Sequence, residues 1–216
     1  MKPQGSGDGM TLYWSSRSPY ARYVTVVASE CGLLDRISLE RVAVSPMRFH
    51  SEVSRHNPLG KIPTLVLADG RSIIDSKMIC RFLDQNGATP GALVPSGDEH
   101  WEMTKLEAIG VGLADLGVGY VIEEFRMKGS PPSPQALAAQ ERVRYVLDSL
   151  EQLVPSLAAG PPHLGTFAVA VALKYLDFRT GAAGEWRQGR PSLGQWLDDG
   201  MARRDSFLAT EFENVV

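Results

Sequence analysis

The stretch that most constrains the fold of this chain is residues 57–67, Asn-Pro-Leu-Gly-Lys-Ile-Pro-Thr-Leu-Val-Leu. A polar turn leads into Ile62-Pro63 and then into an apolar run that predicts a strand from Thr64 to Leu67. Residues 68–71 form a tight-turn signal, so residues 72–74 are predicted as the returning strand. The sequence therefore predicts an antiparallel hairpin that begins directly after a proline.

The proline of this stretch limits how the strand can begin. Proline has no N–H, so it is tolerated at the start or edge of a strand and not in the middle of a sheet. Cis X-Pro bonds are only ~5–6% of cases in folded proteins, so trans is the default. A cis Ile62–Pro63 bond would turn the Ile62 backbone outward, with its N–H and C=O free for an extended peptide-like ligand. The residues described below favour the cis form.

Composition excludes several classes of partner. The net charge of −3 gives no general case for nucleic acid or an anionic membrane. No apolar run approaches the roughly 20 residues of a membrane span, and residues 1–9 lack the apolar core of a signal peptide. Cys31 and Cys80 are too few for a disulfide framework and lack metal-ligand spacing, so we interpret them as buried packing residues. We expect a cytoplasmic protein without a metal, with residues 1–9 as a flexible lead-in.

Strands and helices alternate in the first part of the chain. Ser18-Pro19 is typical of a helix start, with serine at the N-cap and proline at the first helical position, and Gly32 ends that helix. Asp75-Ser76 caps a later helix that finishes near Gly87. The other predicted elements are strands at 11–14 and 37–42 and a loop with a short helix at 45–55. The order β-α-β-α-β-β-α predicts a thioredoxin-like α/β domain over residues 10–87, with a mixed four-stranded sheet.

The rest of the chain is predicted to be all-α. Residues 88–97 are rich in Pro, Gly and Ser and predict a linker to a helical domain at 98–216. The helix predicted at 166–178 is apolar nearly all round and should lie in the centre of this domain. No element is predicted from Thr210 onward. The other predicted helices span 98–127, 135–154 and 192–204.

The helix predicted at 98–127 contains four glycines, each costing up to about 1 kcal/mol against alanine. This cost indicates close approach of backbone, ligand or partner, or else a kinked helix. The glycines are Gly110, Gly112, Gly117 and Gly119.

Three features converge on one edge of the predicted sheet: Ser18 at a helix start, Ile62-Pro63 before the third strand, and Asp75-Ser76 before the third helix. With Ser-Pro-Tyr-Ala-Arg at 18–22, the linker and the helical second half, their order resembles the cytosolic glutathione transferases. The residues Tyr-Leu-Asp-Phe-Arg at 175–179 and Arg-Arg-Asp-Ser-Phe at 203–207 resemble a bacterial branch of that family. The resemblance implies a homodimer.

The resemblance also implies a glutathione site. The Ile62 backbone next to Pro63 would pair with the cysteinyl backbone like one more strand. The helix start at Ser76 would hold the γ-Glu carboxylate and Asp75 the γ-Glu ammonium, although both residues also suit plain helix capping. Lys61 would reach the glycyl carboxylate, or is a solvated surface lysine.

Ser18 is the first candidate for stabilising the glutathione thiolate, followed by Ser16 and then Ser15. Lowering a thiol pKa of ~8.5 by about two takes roughly 2.7 kcal/mol, which a hydroxyl and helix-start N–H groups can supply. Family members with cysteine here favour thiol-disulfide exchange, and a hydroxyl forms no mixed disulfide. Arg22 resembles a family position that either touches ligand or braces the loop.

The resemblance places the second substrate between the sheet domain and the helix at 98–127, with Trp14, Leu113 and Tyr120 as pocket candidates. The first hypothesis is a glutathione transferase acting on a small hydrophobic electrophile. The alternatives are a glutathione-dependent reductase or peroxidase and a non-catalytic glutathione-binding or interaction module. The fold alone does not decide among them, and the serine favours conjugation.

One departure from the family pattern lies at the central helix. The family has a Ser/Thr-x-x-Asp capping box there, and this chain has Thr166 with Val169 in place of the acid. We expect half the box to be lost, at a cost of about 0.5–2 kcal/mol. The four histidines show no ligand or triad spacing.

Overall fold

Four strands form a mixed sheet in the computed structural model, which describes residues 9–44, 49–179 and 185–214. They are β1 (Met10–Trp14), β2 (Ile37–Arg41), β3 (Thr64–Val66) and β4 (Ser72–Ile74). The order across the sheet is β2-β1-β3-β4, with β1 parallel to β2 and antiparallel to β3, and β3 antiparallel to β4. The predicted fold class, a thioredoxin-like domain followed by a helical region, is confirmed. Most of the predicted lead-in, and residues 45–48 of the predicted loop, lie outside the described residues.

Three helices accompany the sheet: α1 (Pro19–Glu30), α2 (Ser51–His56) and α3 (Ser76–Asn86). The helix starts agree with the sequence, because Ser18 is the N-cap of α1 and Asp75 the N-cap of α3. α1 packs against α3, and fully buried apolar residues lie on both helices. Cys31 and Cys80 are free and buried, which agrees with a packing role, and burial raises the pKa of the Cys31 thiol to about 12.

The later helices are α4 (Asp98–Arg126), α5 (Pro134–Leu157), α6 (Leu164–Arg179), α7 (Pro191–Gln195) and α8 (Asp205–Leu208). The single helix predicted at 192–204 is divided: α7 stops at Gln195, a π-helical turn spans Trp196–Gly200, and a 3-10 turn spans Met201–Arg203. Asp198 of the π-helical turn forms an ion pair with Arg187, with 2.7 Å between Arg187 Nη2 and Asp198 Oδ1. No helix within the described ranges is long and apolar enough to cross a bilayer.

The chain divides into two compact units. The first contains residues up to 94 together with residues from 205 onward, and the second contains residues 95–204. The last segment of the chain, which the sequence pattern grouped with the helical domain, therefore packs on the sheet-containing unit. All the predicted glutathione-binding residues lie in this first unit.

The second unit has α6 at its centre, as its apolar sequence predicts. Most of α6 is buried, and α6 packs along α4 so closely that the backbones touch. A Cβ on Gly110 of α4 would lie 2.5 Å from the backbone nitrogen of Val169, and a Cβ on Gly117 would lie 3.2 Å from the Tyr175 ring. Gly112 and Gly119 have nothing within 4 Å of such an atom. Close helix packing therefore accounts for two of the four glycines.

The expectation about the cap of the central helix is wrong. α6 begins at Leu164, so His163 and not Thr166 is the residue before it. Thr166 Oγ1 accepts from the His163 N–H at 2.9 Å, and His163 Nδ1 accepts from the Thr166 N–H at 3.3 Å. These reciprocal bonds form a complete capping box with histidine as its first residue. Burial lowers the pKa of His163, which keeps the Nδ1 lone pair available as an acceptor.

Alanine substitutions on the two glycine faces of α4 should change the stability in opposite directions. Gly110→Ala should lower the free energy of unfolding by about 2–3 kcal/mol, because its methyl group would collide with backbone that cannot rotate away. Gly112→Ala should raise it by up to about 1 kcal/mol, because it gains helix propensity without a clash. Urea unfolding of the two variants beside the parent protein measures both effects. Equal destabilisation by the two would contradict the close approach of α4 and α6.

Candidate functional site

The sheet register gathers three chain segments at one edge. Tyr13 pairs with Thr64, and Thr64 pairs with Ile74, so these residues form one row across β1, β3 and β4. Because β3 is antiparallel to both neighbours, this row lies at the end of β1, the beginning of β3 and the end of β4. The loop that leads to Ser18, the Ile62-Pro63 pair and the Asp75-Ser76 pair therefore leave the sheet from the same edge.

The segment before β3 is held by the side chain of Asn57, which is 2% exposed. Asn57 Nδ2 donates to the Lys61 carbonyl at 2.9 Å and to Thr64 Oγ1 at 3.0 Å, and Oδ1 accepts from the Leu59 N–H at 3.0 Å. The Thr64 hydroxyl in turn donates to the Lys61 carbonyl at 2.8 Å. These bonds close residues 57–64 into a fixed loop. The polar turn was evident in the sequence, but the Asn57 side chain was not identified as its organiser.

The loop leaves the backbone of Ile62 available. The Ile62–Pro63 peptide bond is cis, as the other candidate site residues favoured. Neither the N–H nor the C=O of Ile62 has a hydrogen-bond partner among the described residues. The Lys61 side chain is exposed, while the Lys61 carbonyl is turned inward to Asn57 and Thr64. The loop thus presents one peptide unit and one cation.

Asp75 and Ser76 together form the start of α3. Asp75 has φ 71° and is the one residue other than glycine with positive φ in the described part of the chain, a conformation often found at functional positions. Its Oδ1 accepts from the Lys77 N–H at 2.9 Å, and the carboxylate is exposed. Ser76 is 6% exposed, and its hydroxyl has no partner among the residues described. The helix start can therefore receive an anion at Ser76 and a cation at Asp75.

Ser18 occupies the start of α1. Its Oγ accepts from the Ala21 N–H at 3.2 Å, and its own N–H donates to the Ser15 carbonyl at 3.1 Å. The hydroxyl proton of Ser18 has no acceptor within the described ranges, so it can be donated to a ligand. The helix start adds positive partial charge at the same place.

The other two serines differ from Ser18. The Ser16 hydroxyl donates to the Glu213 carbonyl at 3.3 Å, and Ser16 is 3% exposed. Ser15 Oγ accepts from the Arg17 N–H at 3.3 Å and is half-buried. Ser16 is therefore a structural contact in this geometry, whereas Ser15 keeps a free hydroxyl proton among the described residues.

Arg22 braces the first unit. Its side chain is 3% exposed, and Nη2 donates to the Phe207 carbonyl at 3.0 Å. The guanidinium carbon lies 4.4 Å from the centre of the Phe212 ring, and burial lowers the pKa of Arg22 to about 10. Of the two roles that the sequence left open, the contacts correspond to bracing. No sequence signal could have identified these partners, because they lie 185 positions or more along the chain.

Tyr13 and Trp14 lie at the end of β1, and both contact neighbouring elements. The Tyr13 hydroxyl donates to Glu52 Oε1 at 3.5 Å, and its ring stacks on His56 at 5.6 Å, so Tyr13 is engaged with α2. Trp14 is half-buried, with the Arg41 guanidinium 5.4 Å from its ring centre. Leu113 and Tyr120 belong to α4 of the second unit, where Leu113 is 1% exposed and Tyr120 is half-buried.

No group of three His, Cys, Asp or Glu side chains within 9–44, 49–179 and 185–214 can hold a metal.

The chain is similar in sequence and in structure to glutathione S-transferases. The family model of the glutathione S-transferase N-terminal domain matches residues 17–86. The uncharacterized GST-like protein YibF of Escherichia coli K12 is 31% identical over 204 residues, which cover 94% of this chain and 98% of that protein.

Two solved structures are similar over nearly the whole chain. A glutathione transferase family member from Pseudomonas fluorescens Pf-5 with bound glutathione has a TM-score of 0.85 and 33% identity, over 94% of this chain and 99% of that chain. A family member of the same strain with bound S-(propanoic acid)-glutathione has a TM-score of 0.82 and 32% identity, over 94% of this chain and 100% of that chain.

The Asn57 bonds predict a large cost for a small truncation. Asn57→Ala should lower the free energy of unfolding by about 2–3 kcal/mol, because it removes the three hydrogen bonds of a buried amide, including the buried bond to the Thr64 hydroxyl. The control is Asn86→Ala, where an exposed asparagine donates to the Phe82 carbonyl, and its effect should stay within ~0.5 kcal/mol. Denaturant unfolding compares the two. A loss at Asn57 as small as that at Asn86 would show that the loop is held by other contacts.

Proposed function

This chain belongs to the bacterial branch of the glutathione S-transferase family, and from that premise we propose that it binds glutathione at the sheet edge and transfers the glutathione thiolate to a small hydrophobic electrophile. The observation that carries the proposal is the row of paired residues Tyr13, Thr64 and Ile74. The segments that contain Ser18, Ile62 and Ser76 all adjoin this row at the same edge of the sheet. Glutathione offers a group that fits each of these three positions.

The middle of glutathione fits the loop before β3. The cysteinyl residue has one N–H and one C=O, and the Ile62 backbone offers the matching pair. Peptides commonly add to an exposed strand edge in this way, through main-chain hydrogen bonds. The glycyl carboxylate then lies on the side of Lys61, whose ammonium is exposed. Asn57 has no direct part in binding, but it holds the loop in the receptive form.

The γ-glutamyl end fits the start of α3. Its carboxylate finds the Ser76 hydroxyl and the positive end of the helix, and its ammonium finds the exposed carboxylate of Asp75. Asp75 Oδ1 already caps the helix, so the second carboxylate oxygen is the one that meets the ammonium. The zwitterionic end is thereby matched sign for sign.

The thiol fits Ser18. A hydroxyl that accepts from the Ala21 N–H and donates to the sulfur is polarised toward donation, which favours the thiolate over the thiol. The bond of the Ser16 hydroxyl to the Glu213 carbonyl favours a structural role for Ser16, and Ser15 becomes the second candidate.

Conjugation is favoured over reduction on chemical grounds. A serine hydroxyl forms no disulfide with glutathione, and both described cysteines are buried in the packing of their helices. The Pseudomonas relative solved with S-(propanoic acid)-glutathione holds a glutathione whose sulfur carries a carbon substituent, the type of product a transferase makes. The identity of the electrophile, and the homodimer, stay predictions.

The first test separates the charge of Asp75 from its capping role. Asp75→Asn keeps a good N-cap at positive φ and removes the charge, so glutathione binding should weaken about tenfold with little change in stability. Asp75→Ala also removes the cap and should lose about 1 kcal/mol of unfolding free energy besides. Calorimetric titration with glutathione, together with thermal unfolding, measures both. Unchanged affinity in Asp75→Asn would assign Asp75 to capping alone.

The second test identifies which serine donates a hydrogen bond to the glutathione thiolate. Ser18→Ala should raise the pKa of the bound glutathione thiol by about 1, equivalent to ~1.4 kcal/mol, and lower turnover at neutral pH accordingly. Ser18→Thr keeps the hydroxyl and should stay near the parent value, whereas Ser15→Ala should leave the thiol pKa unchanged. Ultraviolet titration of the thiolate in the saturated complex gives these values. A rise in Ser15→Ala but not in Ser18→Ala would transfer the role to Ser15.

A further inference from the structure

The last segment of the chain, residues 205–214, contacts the loop that leads to Ser18, the proposed hydrogen-bond donor to the thiolate. The Glu213 N–H donates to the Ser16 carbonyl at 3.3 Å, and the Ser16 hydroxyl donates back to the Glu213 carbonyl at 3.3 Å. Ser16 lies between the end of β1 and the N-cap of α1. The loop is therefore clamped from outside by two reciprocal hydrogen bonds, and Ser15 and Ser18 are joined by a third.

The same residue reaches a second strand end. Glu213 Oε2 lies 3.2 Å from Nη2 of Arg41, the last residue of β2, which pairs with Trp14 at the end of β1. This ion pair is largely exposed, so it contributes little by itself. Its position nevertheless shows that Glu213 lies across the ends of two adjacent strands.

The residues that precede Glu213 in the chain also contact the side of α1. The Ser206 hydroxyl donates to Glu30 Oε1 at 2.5 Å near the C-terminal end of α1. Arg22 lies near the start of α1. It donates to the Phe207 carbonyl, and its guanidinium lies against the Phe207 and Phe212 rings. The Arg22 N–H itself donates to the Ser18 carbonyl at 3.0 Å. The segment is thus fixed at both ends of the helix before it reaches Ser16.

We propose that residues 205–214 are a positioning element of the glutathione site, and that the Glu213 backbone fixes the Ser15–Ser18 loop so that the Ser18 hydroxyl is directed to the thiol. The chain of contacts runs from Glu213 to Ser16, through the turn between Ser15 and Ser18, to the start of α1. Glu213 acts through this loop and does not touch the substrate. The role at the thiol rests on the proposed function; the role in holding the loop does not.

The experiment compares two substitutions at one position. Glu213→Pro removes the N–H that donates to Ser16, whereas Glu213→Ala removes only the carboxylate that faces Arg41. Glu213→Pro should raise the pKa of the bound glutathione thiol by about 0.5 to 1, three- to tenfold less thiolate at a given pH. Glu213→Ala should stay near the parent protein. A chain ending at Phe212 should behave like Glu213→Pro.

A merely structural role would not give the following pattern. In a Ser18→Ala background the Glu213→Pro shift of the thiol pKa should disappear, because the donor that it misplaces is absent. Glutathione affinity, which depends on Ile62 and Ser76, should change less than threefold. An unchanged thiol pKa in Glu213→Pro, or a shift that persists without Ser18, would overturn the proposal.

Hydrogen exchange separates this inference from the proposed function. The Ala21 and Arg22 amides, bonded to Ser18 Oγ and O, should exchange about tenfold faster in Glu213→Pro than in Glu213→Ala, without any ligand. If the parent protein fails to bind glutathione, the proposed function fails and the exchange rates alone decide whether the segment holds the loop. Equal exchange rates in the two variants would overturn the positioning role in either case.

Discussion

The hydrogen bonds of Thr64 fix where the candidate site lies. Its backbone pairs with Tyr13 on one side and Ile74 on the other, and its hydroxyl joins the Asn57 amide to the Lys61 carbonyl. Thr64 is fully buried, so each of these bonds is made in a low-dielectric interior where an unmet partner is costly. One core residue therefore sets both the row of the sheet and the shape of the loop before it. Ile62, Asp75 and Ser76, where we propose that glutathione binds, take their places from it.

Local signals in the sequence were sufficient for the parts of the site that neighbouring residues determine. The hairpin at 64–74 and the caps at Ser18 and Asp75 depend on residues within a few positions, and the structure has them as predicted. The reciprocal bonds of His163 and Thr166 are equally local, but histidine is an uncommon first residue of a capping box, so the pattern indicated the wrong residue. The contacts of Arg22 and Ser16 join residues 185 and 197 positions apart, and no local pattern contains such information.

The glycines of α4 show a case where the sequence held more than its composition suggested. Gly110 and Gly117 are seven residues apart, two turns of helix, and so share one face. Gly112 and Gly119 share another face, rotated by about 200° from the first. Periodicity therefore separates the pairs, but only the packing of α6 shows which pair faces a backbone and which faces open space. The cost of four glycines has a packing explanation for one face and none for the other.

α1 has several structural roles at once, and they are coupled through its first turns. Its start presents Ser18, one side packs on α3, and buried Arg22 binds the returning end of the chain. Burying a guanidinium is unfavourable unless it has hydrogen-bond or aromatic partners. The Phe207 carbonyl and the rings of Phe207 and Phe212 therefore offset the cost of burying Arg22. The Arg22 N–H also donates to the Ser18 carbonyl, so those partners are connected to the turn that carries Ser18. The proposed site at the beginning of the chain is thus linked by direct contacts to residues near its end, although none of them contacts the proposed ligand.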